Sequence, residues 1–343
     1  MRKLILGFLF LVCAITTLGK VRVLTIGIGH YPSGSGWCDL GAVNDVALLK
    51  EVFPDAMALS DEKATHKGIE VALKELERSS SPGDTVIIHF SGHGQQVLAL
   101  NDKNEPDKVD EALVAYDARR KKSSTYNGQA HFIDDEFGSH ITSIRKKVGP
   151  NGLVLAVIDA CHSNSMDRET DKNGDIYRGT DEVFGADNLS KEDLENLRSA
   201  YNNKETEALP TSGNMSGLVL MSACETDQRN YETKVGDRPY GSLSYYFAKA
   251  VRENGIADID GLLTTVYNGM ADDPTLEFHE QLPVIRTTVG WGAPKKETFV
   301  PADTTDTESG TSDENQSYTL YLILGGLAII VLIILLCWKK RKK

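Results

Sequence analysis

Two short stretches of this 343-residue chain carry residues that can do nucleophilic chemistry together. One is DACHS, Asp159 to Ser163, with Cys161 at its centre. The other is SGHG, Ser91 to Gly94, with His93. A cysteine attacks as its thiolate, so it needs a lowered pKa and a partner to take its proton. An imidazole can take that proton and pass it to a leaving amine. The glycines flanking His93 let a substrate backbone approach closely. The N–H groups of Gly94 and Cys161 could point at a developing oxyanion. The chemistry implied is acyl transfer through a thioester.

The flanking sequence says how these residues would be held. LVLAVI, Leu153 to Ile158, is apolar without alternation and stops at Asp159; TVIIHF, Thr85 to Phe90, leads directly into SGHG. Continuous apolar runs of this length suit strands buried on both faces of a parallel sheet. In open α/β sheets, chemistry gathers beyond the carboxyl ends of the strands. Neighbouring strands would deliver His93 and Cys161 to the same edge. VRVLTIGIG (Val21 to Gly29) and GLVLMSAC (Gly217 to Cys224) read as further buried strands. Helices are predicted over GAVNDVALLKEVF, HKGIEVALKELERS, FIDDEFGSHITSIRKKV, GSLSYYFAKAVREN and DIDGLLTTVYNGMADD, and QLPVIRTTVG closes the body. In the first helix, Ala42, Val43, Val46, Leu49 and Val52 form the apolar stripe, with Asn44 and Asp45 in its first turn. Strands alternating with helices imply an α/β fold with a mainly parallel central sheet covered on both faces.

Composition bounds the function class. Hydrophobic residues make up 41% and charged residues 25%, ordinary values for a globular protein, and the formal net charge is −12. Basic residues cluster at both ends (Arg2, Lys3; Lys339 to Lys343), so the body is more acidic than that average. An acidic body excludes nucleic acid as a partner and suits basic substrates, divalent cations or plain solvation. Of five cysteines, only Cys38, Cys161 and Cys224 lie in the body, too few for a disulfide scaffold. A Cys38–Cys224 bridge that leaves Cys161 as a thiol is open on sequence grounds.

The chain divides into segments. Residues 1–19 have the layout of a secretory signal peptide. Residues 20–294 form the α/β domain, and within it residues 165–213 read as a long, charged, mobile insertion with one helix near SKEDLENLRSAY. Residues 295–317 are an acidic Ser/Thr-rich stalk. Residues 318–338 are long and apolar enough to span a bilayer, and the basic tail 339–343 is cytoplasmic by the positive-inside rule. The expected arrangement is a single-pass membrane protein with its body extracytoplasmic.

HFSGHG with DACHS resembles the catalytic signature of caspase-like cysteine peptidases of the metacaspase type. GAVNDV, GLVLMSACETDQ and GSLSYYFAKAV resemble other parts of that family, and the likeness covers roughly residues 20 to 290. It implies a caspase-like α/β/α fold, His93 as general acid/base and Cys161 as nucleophile; the adjacent His162 would be structural. Asp159 and Asp45 can reach the same sheet edge, and paired carboxylates hold guanidinium or ammonium groups by charge-assisted hydrogen bonds. The resemblance assigns these acids, with Ser91, to the S1 pocket and implies protein or peptide substrates cleaved after Arg or Lys. A helix N-terminal role for Asp45, and a turn role for Asp159, remain open alternatives.

No cofactor is required by this chemistry. Acid clusters at Asp107/Asp110/Glu111 and Asp134/Asp135/Glu136 raise calcium as an activator, with Asp110, Asp134 and Asp135 as ligands and Asp167 as a further one; solvated acids and helix caps are the alternative. Arg168, Lys172, Arg178, Lys191, Arg198 and Lys204 dot the insertion beside the site, so self-cleavage within 166–213 is expected. The rival readings are a catalytically silent caspase-like surface module, and a legumain- or transamidase-like enzyme of the same fold. A metal site from His89, His93, Cys161 and His162 is disfavoured, because the Gly turn separates the two strand histidines.

Overall fold

The computed structural model describes residues 19–98, 109–161, 175–190, 192–194, 196, 209–225 and 228–292. A six-stranded sheet organises them. In chain order its strands are β1 (Val21–Gly27), β2 (Met57–Ser60), β3 (Thr85–Ser91), β7 (Leu153–Asp159), β8 (Gly217–Ser222) and β11 (Val284–Thr287). Their spatial order is β11-β8-β7-β3-β1-β2, parallel throughout except for β11, which runs antiparallel to β8. The uninterrupted apolar runs occupy the middle, where both faces are covered. The short MALS strand takes one edge with no residue fully buried. β4 (Gly94–Leu98), β5 (Val109–Val114) and β6 (His131–Ile133) form a separate antiparallel sheet, and β9 (Glu232–Val235) pairs with β10 (Arg238–Gly241) as a hairpin.

The pleat of the central strands decides which side chains meet which helices. Val86, Ile88 and Phe90 of β3, with Val154, Ala156 and Ile158 of β7, face α2 (His66–Ser79) and α3 (Asp134–Val148), whose Ile69, Leu73, Phe137, Ile141 and Ile144 share that core. Ile87 of β3 and Leu155 and Val157 of β7 face α1 (Ala42–Val52), α4 (Ser242–Asn254) and α5 (Ile259–Ala271), against Leu48, Leu49, Phe247 and Leu263. Each of these Val, Leu, Ile and Phe side chains contributes roughly 1.5–3 kcal/mol when fully buried. The helices start and stop where chemistry favours it. Thr65 accepts from the Gly68 N–H at the start of α2, and Asp258 from the Gly261 N–H at the start of α5. In α3, Asp134, Asp135 and Glu136 sit in the first turn and Arg145, Lys146 and Lys147 in the last, matching the helix dipole at both ends. The short helix α6 (Pro274–Phe278) precedes β11.

Part of the 165–213 insertion is packed on the domain. Tyr177, Arg178, Phe184 and Ala186 are buried. Phe184 bonds through its backbone to Gln96 and Leu98 of β4, and Tyr177 bridges to Tyr231. Two aromatic anchors give this polar stretch enough apolar area to dock. A helical turn at Glu192–Leu194 starts at Ser190, within the expected helix. Among the described residues no helix is long and apolar enough to cross a membrane. The expected signal peptide (apart from Gly19), the stalk and the 318–338 span lie outside the described residues.

Candidate active site

Register brings the two predicted turns together. β3 and β7 pair residue for residue up to Ser91 opposite Asp159, and the Gly92 N–H then donates to the Asp159 carbonyl at 3.2 Å. His93 and Cys161 therefore each stand two residues beyond the same paired position, at the carboxyl edge. Alternation sends Ser91 and Asp159 to the same face as Ile87 and Val157, where α1 presents Asp45.

The acids expected there do converge, but around a side chain of the protein itself. The fully buried guanidinium of Arg178 donates from Nη2 to Asp45 Oδ2 (2.9 Å) and Glu232 Oε1 (2.8 Å), and from Nη1 to Ser91 Oγ (2.6 Å). Asp159 Oδ1 lies 3.7 Å from Nη1. The pocket expected to take the basic group of a substrate holds Arg178. Asp45 does not cap its helix: it accepts from the Ser91 hydroxyl at 2.7 Å and from the Gly241 N–H at 3.0 Å. Asp159 is fixed by Asn230 Nδ2 on one oxygen (2.7 Å) and by the Ser244 N–H and hydroxyl on the other (2.7 and 2.6 Å). Gly241 is required here, because a Cβ would stand 2.2 Å from Asp159 Oδ2 and 2.4 Å from Arg178 Nη1.

Charge balance explains the titration. Burial would lower the Arg178 pKa, but Asp45, Asp159 and Glu232 together outweigh it and hold the guanidinium above its ordinary range. Burial pushes Asp45 up to about 7 against the pull of Arg178, and the neighbouring Asp159 adds to the rise. One cation stands among three carboxylates, Asp45, Asp159 and Glu232.

The backbone of Arg178 is placed as tellingly as its side chain. Its carbonyl accepts the Cys161 N–H at 2.8 Å, the N–H expected to face an oxyanion. Gly179 lies against the Cys161 backbone, where a Cβ would come within 2.5 Å of the Cys161 carbonyl oxygen. Only glycine fits as the chain crosses there. The other expected donor, Gly94, opens β4 opposite Leu113.

His93 is buried, stacked on Trp37 with ring centroids 4.9 Å apart and tilted against Tyr31. Its Nε2 meets the Cys38 carbonyl at 3.1 Å, which assigns the proton to Nε2. Nδ1 is buried without a partner among the described residues. Burial lowers the pKa to about 3, which keeps the ring neutral at rest. His89 is different: Thr25 Oγ1 and Ser244 Oγ occupy its two nitrogens at 2.9 and 2.8 Å, so it is a structural member of the Asp159 network and no metal ligand.

Cys161 is buried, and its thiol lies 3.2 Å from the Gln228 carbonyl and 3.4 Å from Cys224 Sγ. Cys38 Sγ is 3.6 Å from His93 Nε2. All three are thiols, so the Cys38–Cys224 bridge is not formed. Sequence reasoning named neither Glu232 nor the role of Arg178. Nothing in their spacing from Cys161 points to the pocket.

Asp110 lies on β5, and Asp134 and Asp135 open α3 directly after β6, the neighbour of β5. Glu136 is engaged with His66 at 3.0 Å. Among the described residues no group of three or more His, Cys, Asp or Glu is arranged to hold a metal ion. His162, Asp107 and Asp167 lie outside the described residues.

A parallel sheet layered by helices, with a histidine turn and a cysteine turn side by side at its carboxyl edge, defines a caspase-like α/β domain. A family model described as the caspase domain (peptidase C14) matches residues 20–289. The chain belongs to that family of cysteine-type peptidases. Curated relatives include Metacaspase-1A of Aspergillus fumigatus, 26% identical over 293 residues and covering 74% of this chain and 66% of that protein. Metacaspase-1 of Schizosaccharomyces pombe is 25% identical over 276 residues, covering 70% and 61%. The chain thus spans about two thirds or less of these relatives' lengths. A crystal structure of a Geobacter sulfurreducens protein aligns with TM-score 0.49 at 19% identity, covering 80% of this chain and 94% of that one.

Proposed function

We propose that this protein is a cysteine endopeptidase of the metacaspase type that cleaves after Arg or Lys, through Cys161 as nucleophile and His93 as acid/base. The observation that carries the reading is Arg178. Its guanidinium is held by Asp45, Ser91 and Glu232, its carbonyl sits on the Cys161 N–H, and a glycine follows it. This is how the arginine of a substrate would lie.

In the proposed reaction, His93 Nδ1 takes the Cys161 proton and the thiolate attacks the carbonyl carbon. The oxyanion is met by the N–H groups of Cys161 and Gly94, and the protonated imidazole delivers its proton to the departing amine. Water then hydrolyses the thioester. Asp45, Ser91, Asp159 and Glu232 select the guanidinium or ammonium group. Arg178 is the first substrate: cleavage of Arg178–Gly179 falls inside the 166–213 segment and frees the pocket for other chains. Calcium enters this reading only as an activator for the chelator arm of the test below, since Asp110, Asp134 and Asp135 form no cluster arranged to hold a metal ion. The signal-like N-terminus and the 318–338 span support a membrane-anchored, extracytoplasmic peptidase with a cytoplasmic basic tail.

The test is a set of fluorogenic peptides ending in Arg, Lys or Asp before the reporter, with wild type and Cys161→Ala, in calcium and in chelator. Arg and Lys peptides turned over only by wild type are expected. No Cys161-dependent turnover of any peptide would favour a silent interaction module, and turnover of the Asp peptide alone would overturn the specificity.

A further inference from the structure

The second buried thiol at the site has no part in the reaction just described. Cys224 follows β8 as Cys161 follows β7, and these strands are parallel neighbours, paired up to Ile158 opposite Ser222. Their sulfurs are 3.4 Å apart, and both lie on the Gln228 carbonyl, at 3.2 Å from Cys161 and 3.5 Å from Cys224. A disulfide bond is about 2.05 Å long, so closure asks for little more than an ångström of combined side-chain movement. Cys38, the third thiol of the body, is held on the other partner, His93.

We propose that Cys224 is the resolving thiol of the nucleophile, forming a reversible Cys161–Cys224 disulfide when the protein meets a hydroperoxide. The inference rests on Cys161 being the reactive thiolate. That thiolate attacks the outer oxygen of the peroxide, giving a Cys161 sulfenic acid and releasing an alcohol or water. The Cys224 sulfur then attacks the Cys161 sulfur, loses its proton and expels the hydroxyl as water. Two thiols give up two electrons and one hydroperoxide accepts them. The hydrogen bond to Cys161, together with burial, holds the Cys224 pKa well above the ordinary thiol value, so Cys224 waits as a thiol until the sulfenic acid appears. The disulfide occupies the sulfur needed for attack and stops peptide cleavage. An external dithiol restores both thiols by exchange. Without a neighbour at this distance, a sulfenic acid goes on to the irreversible sulfinic acid.

The experiment treats reduced full-length protein with one to ten equivalents of hydrogen peroxide, then alkylates, digests and maps cysteines by mass spectrometry, with cleavage of an Arg peptide followed in parallel. Wild type is expected to give the Cys161–Cys224 cross-linked peptide, to lose activity in proportion, and to regain at least nine tenths of it with dithiothreitol. Cys224→Ser and Cys224→Ala are each expected to give no cross-link, sulfinic acid at Cys161, and less than a tenth of the lost activity recovered. Cys38→Ser is expected to cross-link as wild type does. Wild-type Cys161 found as sulfinic acid or paired with Cys38, with Cys224 still open to alkylation, would overturn the proposal. The cross-link is read without turnover. Its appearance in a protein that cleaves no Arg peptide would support the thiol pair and sink the peptidase reading; activity without it would do the reverse.

Discussion

Arg178→Gly is the substitution that the pocket geometry predicts most sharply. It removes the guanidinium and leaves Asp45, Asp159 and Glu232 facing a void, two of them with no exposure at all. Stripping the partner from a buried charge of this kind costs about 3–5 kcal/mol. For a domain of this size that corresponds to a fall in Tm of roughly 6–20 °C. The loss should be larger at pH 8 than at pH 5.5, because Asp45 titrates at about 7 and takes up a proton below that. The void is shaped for a guanidinium, so agmatine should refill it. At 100 times its Kd it would return about 2.7 kcal/mol. The assay is a thermal melt of wild type and variant on a Cys161→Ala background, with agmatine titrated against a putrescine control. A variant within 1 kcal/mol of wild type would refute the reasoning, as would agmatine acting equally on both proteins.

Asp45→Asn should flatten a pH dependence. A carboxyl raised from 3.8 to about 7 contributes stability that is full below pH 3.8 and lost as pH rises toward 7. The stability of the variant relative to wild type should therefore climb between pH 5 and pH 8 in urea titrations; a flat difference counts against a raised Asp45. The buried His93 works in the opposite sense: with its pKa lowered to about 3, its contribution is full above pH 6.5 and fades as pH falls. His93→Gln should reduce kcat for an Arg peptide by about 10²–10⁴ and shallow the acid limb of the stability curve; kcat within threefold of wild type removes His93 from the mechanism.

The central strands and the main helices were legible because their apolar periodicity has one physical solution. β3 and β7 had to be buried on both faces, and the turns after them had to share an edge. β2, β4, β6 and the β9–β10 hairpin were not, since short or half-polar strands carry little pattern. Asp45, Ser91 and Asp159 were readable from motif position. What they hold was not, because Arg178 lies in a charged stretch whose composition argued for solvent. Tyr177 and Phe184, one residue before Arg178 and six after it, anchor that stretch, and two aromatics in a polar insertion were the signal available. Glu232 reaches the site only through the β9–β10 hairpin, and Cys224, two residues after β8, only because β8 pairs beside β7. No spacing from Cys161 encodes either placement.

Affinity labelling shows whether Cys161 is the nucleophile and whether its pocket selects arginine. The reduced protein is exposed to equal concentrations of a peptidyl-arginine and a peptidyl-aspartate chloromethyl ketone, and the alkylated residue is located by mass spectrometry. Rapid, stoichiometric modification of Cys161 by the arginine reagent alone, slowed by agmatine, is expected. Labelling at Cys38 or Cys224 instead, or faster reaction with the aspartate reagent, would contradict it.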